Sequence, residues 1–158
     1  MGLDMYLSAS KHVHKVNWQD STAKEIAVNP KYTTLMTLVE LDHVPSDIYG
    51  ASVEVVCAYW RKSNAIHNWF VKNVQDGKDD CGTYYVSAEN LKTLVDLCYR
   101  VIDEKNPSLL MPTEGFFFGS TDINEYYWAD IEETITKLNR VLNLPDIDDL
   151  SFSYHSSW

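Results

Sequence analysis

The chain has 158 residues, of which 45% are hydrophobic and 13% aromatic, so it can bury a core of its own and is not a disordered protein. We expect one globular domain over residues 1–158. Its formal net charge of −10 repels phosphate backbones, which argues against direct binding to nucleic acid and leaves mimicry of DNA by carboxylates open.

The three cysteines, Cys57, Cys81 and Cys98, show no CxxC spacing, and two of them lie in apolar runs. This usage suits a reducing cytoplasm, where thiols stay unpaired. The sequence has no apolar run of membrane-spanning length and no signal pattern at its N-terminus. We therefore expect a cytoplasmic protein without a membrane partner.

The segment from Gly2 to Ser8 alternates apolar and polar residues, which predicts a half-buried strand. His12 and His14 follow, and on an extended chain they face the same side and could share a metal. No third ligand follows by spacing. We therefore interpret these histidines and their flanking lysines as a solvated basic edge, and we predict no metal site.

The next three segments differ in how clearly they can be assigned. Asn17 to Pro30 is polar and predicts a loop, whereas Tyr32 to Leu41 fits a strand by its threonines and a helix by its leucine spacing. Ser52 to Trp60 alternates at first and is continuously apolar from Val55 to Tyr59, which is typical of a central strand.

Ser63 or Asn64 can cap the helix that follows. Its apolar residues recur at helical spacing and predict a core stripe of Ile66, Trp69, Phe70 and Val74. His67 lies at the margin of that stripe. We interpret it as a half-buried, hydrogen-bonded histidine, with a ligand-binding or acid–base role as the alternative.

Gln75 to Gly82 is a turn by composition. Its aspartates Asp79 and Asp80 suggest a cation site, but no calcium-loop spacing is present, and Asx turns are the favoured interpretation. Thr83 to Val86 then predicts a short strand, and Ser87 caps an amphipathic helix that ends before Pro107.

Three phenylalanines stand between glycines in the segment from Gly115 to Thr121. Alternate side chains of a strand face opposite ways, so at least one of them meets a second layer, a ligand or a partner. Thr121 or Asp122 caps a last helix to about Leu142, whose core stripe is predicted to comprise Tyr126, Tyr127, Ile131, Ile135, Leu138, Val141 and Leu142.

A C-terminal strand alternates Leu150, Phe152 and Tyr154 with polar residues. Because strands open and close the chain and helices lie between them, we predict an α+β fold with a mainly antiparallel sheet and about three major helices.

The segment from Tyr59 to Val86 concentrates the candidate site residues. Aromatic side chains can stack on a planar ligand, and a basic pair at their edge can hold its anionic group. We predict a ligand site of Trp60, Arg61, Lys62, His67, Trp69 and Tyr84.

This site has two alternatives. Trp60 ends an apolar run and fits the core better than a pocket, and the basic pair could simply bridge acidic neighbours at the surface. Strand alternation would also place Arg61 and Lys62 on opposite sides.

No phosphate-binding glycine loop, catalytic triad order or zinc motif is present, so we assign no catalytic residue, metal or cofactor. Cys81 is an unsuitable nucleophile because neighbouring carboxylates disfavour its thiolate. A small enzyme with His67 as general base remains an alternative.

Four stretches together resemble a group of small acidic proteins encoded by tailed bacteriophages and prophages. They are Met1-Gly2-Leu3-Asp4-Met5-Tyr6-Leu7; Tyr59-Trp60-Arg61-Lys62 with Asn64, Ile66-His67 and Trp69-Phe70; Asp79-Asp80-Cys81 with Tyr84-Tyr85-Val86; and Gly115 to Thr121. The resemblance implies a phage source, and hence the host cytoplasm, and it carries over no catalytic residue.

The function that we expect is the capture of a nucleotide-like molecule without turnover, as in counter-defence proteins that sequester host signals. The first alternative is an acidic inhibitor of a host nucleic-acid-binding or defence enzyme. The partner is thus a small molecule or a host protein, and self-association is left open.

Overall fold

The computed structural model describes residues 2–22, 25–44 and 50–158. In chain order the elements are β1 (Asp4–His14), α1 (Pro30–Leu38), β2 (Gly50–Arg61), α2 (Asn64–Asn73), β3 (Thr83–Val86), α3 (Ala88–Asp103), α4 (Glu125–Leu142) and β4 (Ser151–Ser157). Short 3-10 turns occupy Pro107–Leu109 and Ile147–Asp149. The predicted α+β class is confirmed, with four helices among the described residues.

The chain divides into two compact units. The first comprises Met1–Ala9 and Val55–Trp158, and the second comprises Ser10–Glu54. Strands β1 and β2 each contribute residues to both units. Our prediction of one domain over residues 1–158 stays a prediction, because compactness does not show whether the units fold together.

The four strands form an antiparallel sheet in the order β2-β1-β4-β3. In the β3–β4 pair, Thr83 lies opposite His155 and Val86 opposite Phe152. Strand β2 is therefore an outer strand, and the prediction of a central position for it is wrong. Its continuous apolar run is not fully covered, since Val55 is 61% exposed. A run of valines favours the strand conformation in general and does not distinguish an outer strand from a central one.

The core of the first unit lies between the sheet and the amphipathic helices. The predicted alternation of β1 and β4 is confirmed by the burial of Leu3, Met5, Leu7, Phe152 and Tyr154. Helices α3 and α4 pack against each other and bury most of the stripes that their sequences predict. Ser87 caps α3 as predicted, in a reciprocal capping box with Asn90.

The start of α4 differs from its prediction. The helix begins at Glu125, and its N-cap is Asn124, whose side chain accepts from the N–H groups of Tyr126 and Tyr127. The predicted caps Thr121 and Asp122 lie outside the helix. Tyr126 was also expected in the core stripe, yet it is 72% exposed, because neighbouring residues on a helix are about 100° apart and Tyr127 takes the inward position.

The second unit contains α1, which shows that the Tyr32–Leu41 segment is helical as far as Leu38. Asn29 caps α1, and Pro30 occupies its first turn, where proline is favourable. The rings of His12 and His14 lie 4.7 Å apart, and His12 Nδ1 lies 3.0 Å from the hydroxyl of Ser52. Within the described ranges no three His, Cys, Asp or Glu side chains are grouped to hold a metal.

None of the helices in the described part of the chain combines the length and hydropathy needed to cross a bilayer.

Trp60 is 1% exposed, and its indole N–H donates to the Thr134 hydroxyl at 2.9 Å. We expect Trp60→Ala to lower the free energy of unfolding by about 3–5 kcal/mol, because it leaves a large cavity and removes the hydrogen bond to Thr134. Urea denaturation measures the change. Val56→Ala on the same strand is the control and should cost less than about 1 kcal/mol, since Val56 is exposed. Equal losses for the two variants would contradict the prediction.

Candidate ligand-binding site

The junction between β2 and α2 creates the candidate site. Strand β2 ends at Arg61, and Lys62 adopts a left-handed backbone with φ of 59°. The Lys62 N–H donates to the carbonyl of Leu3 at 2.7 Å, which fixes the turn. Because this turn interrupts the strand alternation, Arg61 and Lys62 both line one cleft.

The cleft has a volume of about 450 Å³, within the range of small-molecule sites. Asn64 and Ala65, from the first turn of α2, line it beside Arg61 and Lys62. The α2 N-cap, Ser63, makes no side-chain capping hydrogen bond. The first turn of α4 has a side-chain acceptor for its N–H groups in Asn124, whereas the first turn of α2 has none at its N-cap. The start of α2 therefore favours a nearby negative charge.

A loop from the phenylalanine segment forms another wall. The buried Asn64 amide donates to the carbonyls of Phe118 at 3.3 Å and Ser120 at 3.0 Å. Gly119, with φ of 97°, lies against Lys62, and a Cβ there would approach the Lys62 Cβ to 3.4 Å. Glycine is suited to this position by both its backbone angle and its contact.

The three phenylalanines have different surroundings. Phe118 is buried and meets His67 edge-on at 5.0 Å, which confirms that at least one ring contacts a second layer. Phe116 and Phe117 are exposed, with their rings 4.2 Å apart. The segment forms no strand.

Helix α4 supplies the third wall through Tyr126, Tyr127 and Asp130. The Tyr127 hydroxyl donates to the carbonyl of Leu110 at 2.9 Å, so this side chain is anchored in the core. Tyr126 is exposed and presents its ring at the cleft. Burial is the main cause that raises the pKa of Asp130 to about 6; the Ser63 hydroxyl opposes this rise, and the nearby Glu133 charge contributes to it.

The charges of the cleft are mixed. The Arg61 Nε lies 3.8 Å from a carboxylate oxygen of Asp4, and its side chain is well exposed. The Asp122 carboxylate, which also lines the cleft, accepts from the Ser120 hydroxyl at 2.7 Å. Within the described ranges, Lys62 makes no ion pair.

His67 belongs to a separate, closed network. Its ring is fully buried, with Nδ1 2.8 Å from the Tyr154 hydroxyl and Nε2 3.1 Å from an Asp79 oxygen. The other Asp79 oxygen accepts from the Trp158 indole N–H at 3.0 Å. Burial lowers the pKa of His67, and Asp79 opposes that effect in part. In the neutral ring Nε2–H donates to Asp79 and Nδ1 accepts from Tyr154, which satisfies both nitrogens.

Of the six predicted site residues, the structure brings Arg61 and Lys62 together at the cleft. Trp60 and Trp69 are buried in the core, and His67 lies in its own network. The Tyr84 hydroxyl lies 3.0 and 2.9 Å from the two Asp80 oxygens, and the Gly82 N–H donates to Asp80 at 2.9 Å. The predicted Asx turn is confirmed there.

Sequence reasoning missed Asn64, Tyr126 and Asp130 as lining residues. The i, i+4 spacing of Tyr126 and Asp130 places them on one helix face and was the available signal. Tyr126 was assigned to the core because its neighbour Tyr127 has the same side chain, and only packing distinguishes the two.

No family model, curated protein or solved structure matches this chain.

We expect Asp130→Asn to change how stability depends on pH. The folded-state pKa of about 6 lies above the ordinary aspartate pKa of 3.8, so the wild type loses stability as pH rises between these values. After allowance for solvent in the cleft, the Asn variant should gain about 1–2 kcal/mol relative to wild type between pH 4 and pH 8. Urea denaturation at both pH values measures this gain, and a difference that is constant with pH would contradict it.

We expect Asp79→Asn to lower the pKa of His67 further, because it removes the charge that partly offsets burial. NMR titration of the ring proton, assigned with His67→Gln, measures the change. The wild-type pKa should lie below 6.5, so this group destabilises the folded state as pH falls through that value. A pKa that is unchanged or raised by Asp79→Asn would show that Asp79 does not act on the ring.

Proposed function

We propose that this protein captures a nucleotide-like anion in the cleft without turning it over. The observation that carries the proposal is the convergence of Arg61 and Lys62 on one cleft, in a chain whose formal net charge is −10. An isolated basic pair in an acidic protein attracts anions locally, whereas the surrounding field discourages long polyanions such as DNA.

The phosphate would lie between the basic pair and the first turn of α2. Arg61 offers a planar fork of donors for two phosphate oxygens, and Lys62 offers a point charge. The Asn64 N–H donates to the Lys62 carbonyl at 2.9 Å, so the donors that the start of α2 can add are the N–H groups that follow it in the first turn. These three sources of positive potential border the same space.

The base would stack on Tyr126. This ring is exposed at the cleft, unlike the buried Trp60 and Trp69 on which stacking was first expected. Aromatic stacking of a base is favourable by about 1–3 kcal/mol and tolerates any base.

Capture without turnover is favoured by the position of His67. His67 is the general base of the enzyme alternative, and its ring is buried with both nitrogens hydrogen-bonded. A general base must reach the proton that it removes, and His67 does not line the cleft.

The biological setting of this proposal comes from the sequence resemblance alone. A phage protein that sequesters a nucleotide signal in the host cytoplasm would act as a counter-defence protein. The inhibitor alternative draws on the carboxylates of α4, where Glu132 and Glu133 are exposed. A basic host protein is the partner that this surface would select.

We expect Arg61→Ala and Lys62→Ala each to weaken binding of the captured nucleotide by about 1.5–3 kcal/mol, since each removes a charged donor. Calorimetry against cyclic and ADP-ribose-derived nucleotides measures the affinity. The free energy of unfolding should stay within about 1 kcal/mol of wild type, because both side chains are exposed. Lys92→Ala, an exposed lysine of α3 outside the cleft, is the control for net charge and should bind like wild type.

Native mass spectrometry of the purified protein gives an independent test, because a tightly held nucleotide is retained. Absence of binding across the panel, or binding that survives both cleft substitutions, would overturn the proposal. Co-purification of a basic protein under the same conditions would then favour the inhibitor alternative.

A further inference from the structure

Two residues of α4 face the cleft from successive turns. Tyr126 and Asp130 are four residues apart, so their Cβ atoms lie about 5–6 Å from each other on one face of the helix. Both line the cleft. A planar base stacked on the Tyr126 ring would therefore turn one edge toward the Asp130 carboxyl group.

The protein offsets the burial of the Asp130 carboxylate only in part, through the Ser63 hydroxyl and the charge of Lys137, and the pKa of this carboxyl stays raised. Within the described ranges no Lys or Arg nitrogen lies at ion-pair distance from it. Lys137, about two turns further along α4, is engaged by Glu133 at 2.8 Å and by the backbone carbonyl of Tyr59. A partly buried carboxylate without a cation is stabilised by hydrogen-bond donors, and here a ligand in the cleft can supply them.

Nucleobases differ in the donors that they offer to a carboxylate. The Watson–Crick edge of guanine carries two adjacent donors, N1–H and the 2-amino group, which match the two carboxylate oxygens. Hypoxanthine carries N1–H alone. Adenine places an unprotonated N1, an acceptor, where the carboxylate needs a donor.

We propose that the cleft selects guanine nucleotides, with Asp130 accepting from N1–H and the 2-amino group while the base stacks on Tyr126. This inference rests on the proposed function, since it assumes that a nucleotide occupies the cleft with its phosphate at Arg61 and Lys62. It adds two assignments to that function: guanine as the base, and Asp130 as the residue that recognises it.

Calorimetry with full-length protein at pH 8 tests this assignment, with cyclic GMP, cyclic IMP and cyclic AMP as probes. The three share one ribose and one singly charged phosphate diester, so they differ at the base alone. We expect cyclic GMP to bind at least about tenfold more tightly than cyclic AMP, with cyclic IMP between them. At this pH Asp130, with its pKa of about 6, is ionised and accepts hydrogen bonds only.

Asp130→Asn replaces one acceptor oxygen with a donor at the same size. We expect it to weaken cyclic GMP binding about tenfold or more, to abolish the preference for cyclic GMP over cyclic AMP, and to improve binding of cyclic XMP, whose 2-oxo group accepts from the amide. Asp122→Asn is the matched comparison, since it removes a carboxylate from the same cleft. It should strengthen binding of all three probes by a similar factor and keep their order.

The outcomes separate this inference from the function on which it rests. Equal affinities of wild type for cyclic GMP and cyclic AMP would overturn guanine selection and leave nucleotide capture standing. The same holds if the preference exists but survives Asp130→Asn. Failure of every nucleotide to bind would overturn both. The wild-type comparison needs no variant, so a folding defect in Asp130→Asn does not affect it.

Discussion

The left-handed backbone at Lys62 is the constraint on which the cleft depends. A lysine in this conformation costs about 1–2 kcal/mol relative to the right-handed region, and the hydrogen bond from its N–H to the Leu3 carbonyl offsets part of that cost. The turn ends β2 and starts α2 within three residues. It thereby brings the last cation of the strand, the next cation and an uncapped helix start to the same space.

Polar contacts then determine the walls. Asn64 holds the loop from the phenylalanine segment through two carbonyl groups, and Gly119 lets that loop approach Lys62 closely. Such contacts are directional, so they fix the shape of a cleft more narrowly than apolar packing does. The His67 network has a related role deeper in the unit, where it ties α2 to Tyr154 of β4 and to the turn that carries Asp79. Because both ring nitrogens of His67 are hydrogen-bonded in this network, the histidine has a structural role.

Much of the fold could be predicted from periodicity. The alternation of β1 and β4, the stripes of α2 and α3 and the capping of α3 by Ser87 are all patterns with a period of 2 or 3.6 residues, and they are observed. Two of the errors have a different origin. The place of β2 in the sheet and the inward choice between Tyr126 and Tyr127 depend on neighbours that are distant in sequence. The sequence pattern of a segment does not specify which distant residues pack against it.

The sequence by itself determined the class of fold and pointed to the basic pair, because charge and hydrophobic period are properties of the chain. Tertiary structure alone decided which residues share the cleft. In a regular strand the side chains of Arg61 and Lys62 would point to opposite faces. The left-handed backbone at Lys62 brings both to one cleft. Tyr126 and Asp130 lie more than sixty residues further along and reach the cleft because α4 packs beside α2. Residues that are distant in sequence come together in a binding site only when the core packs.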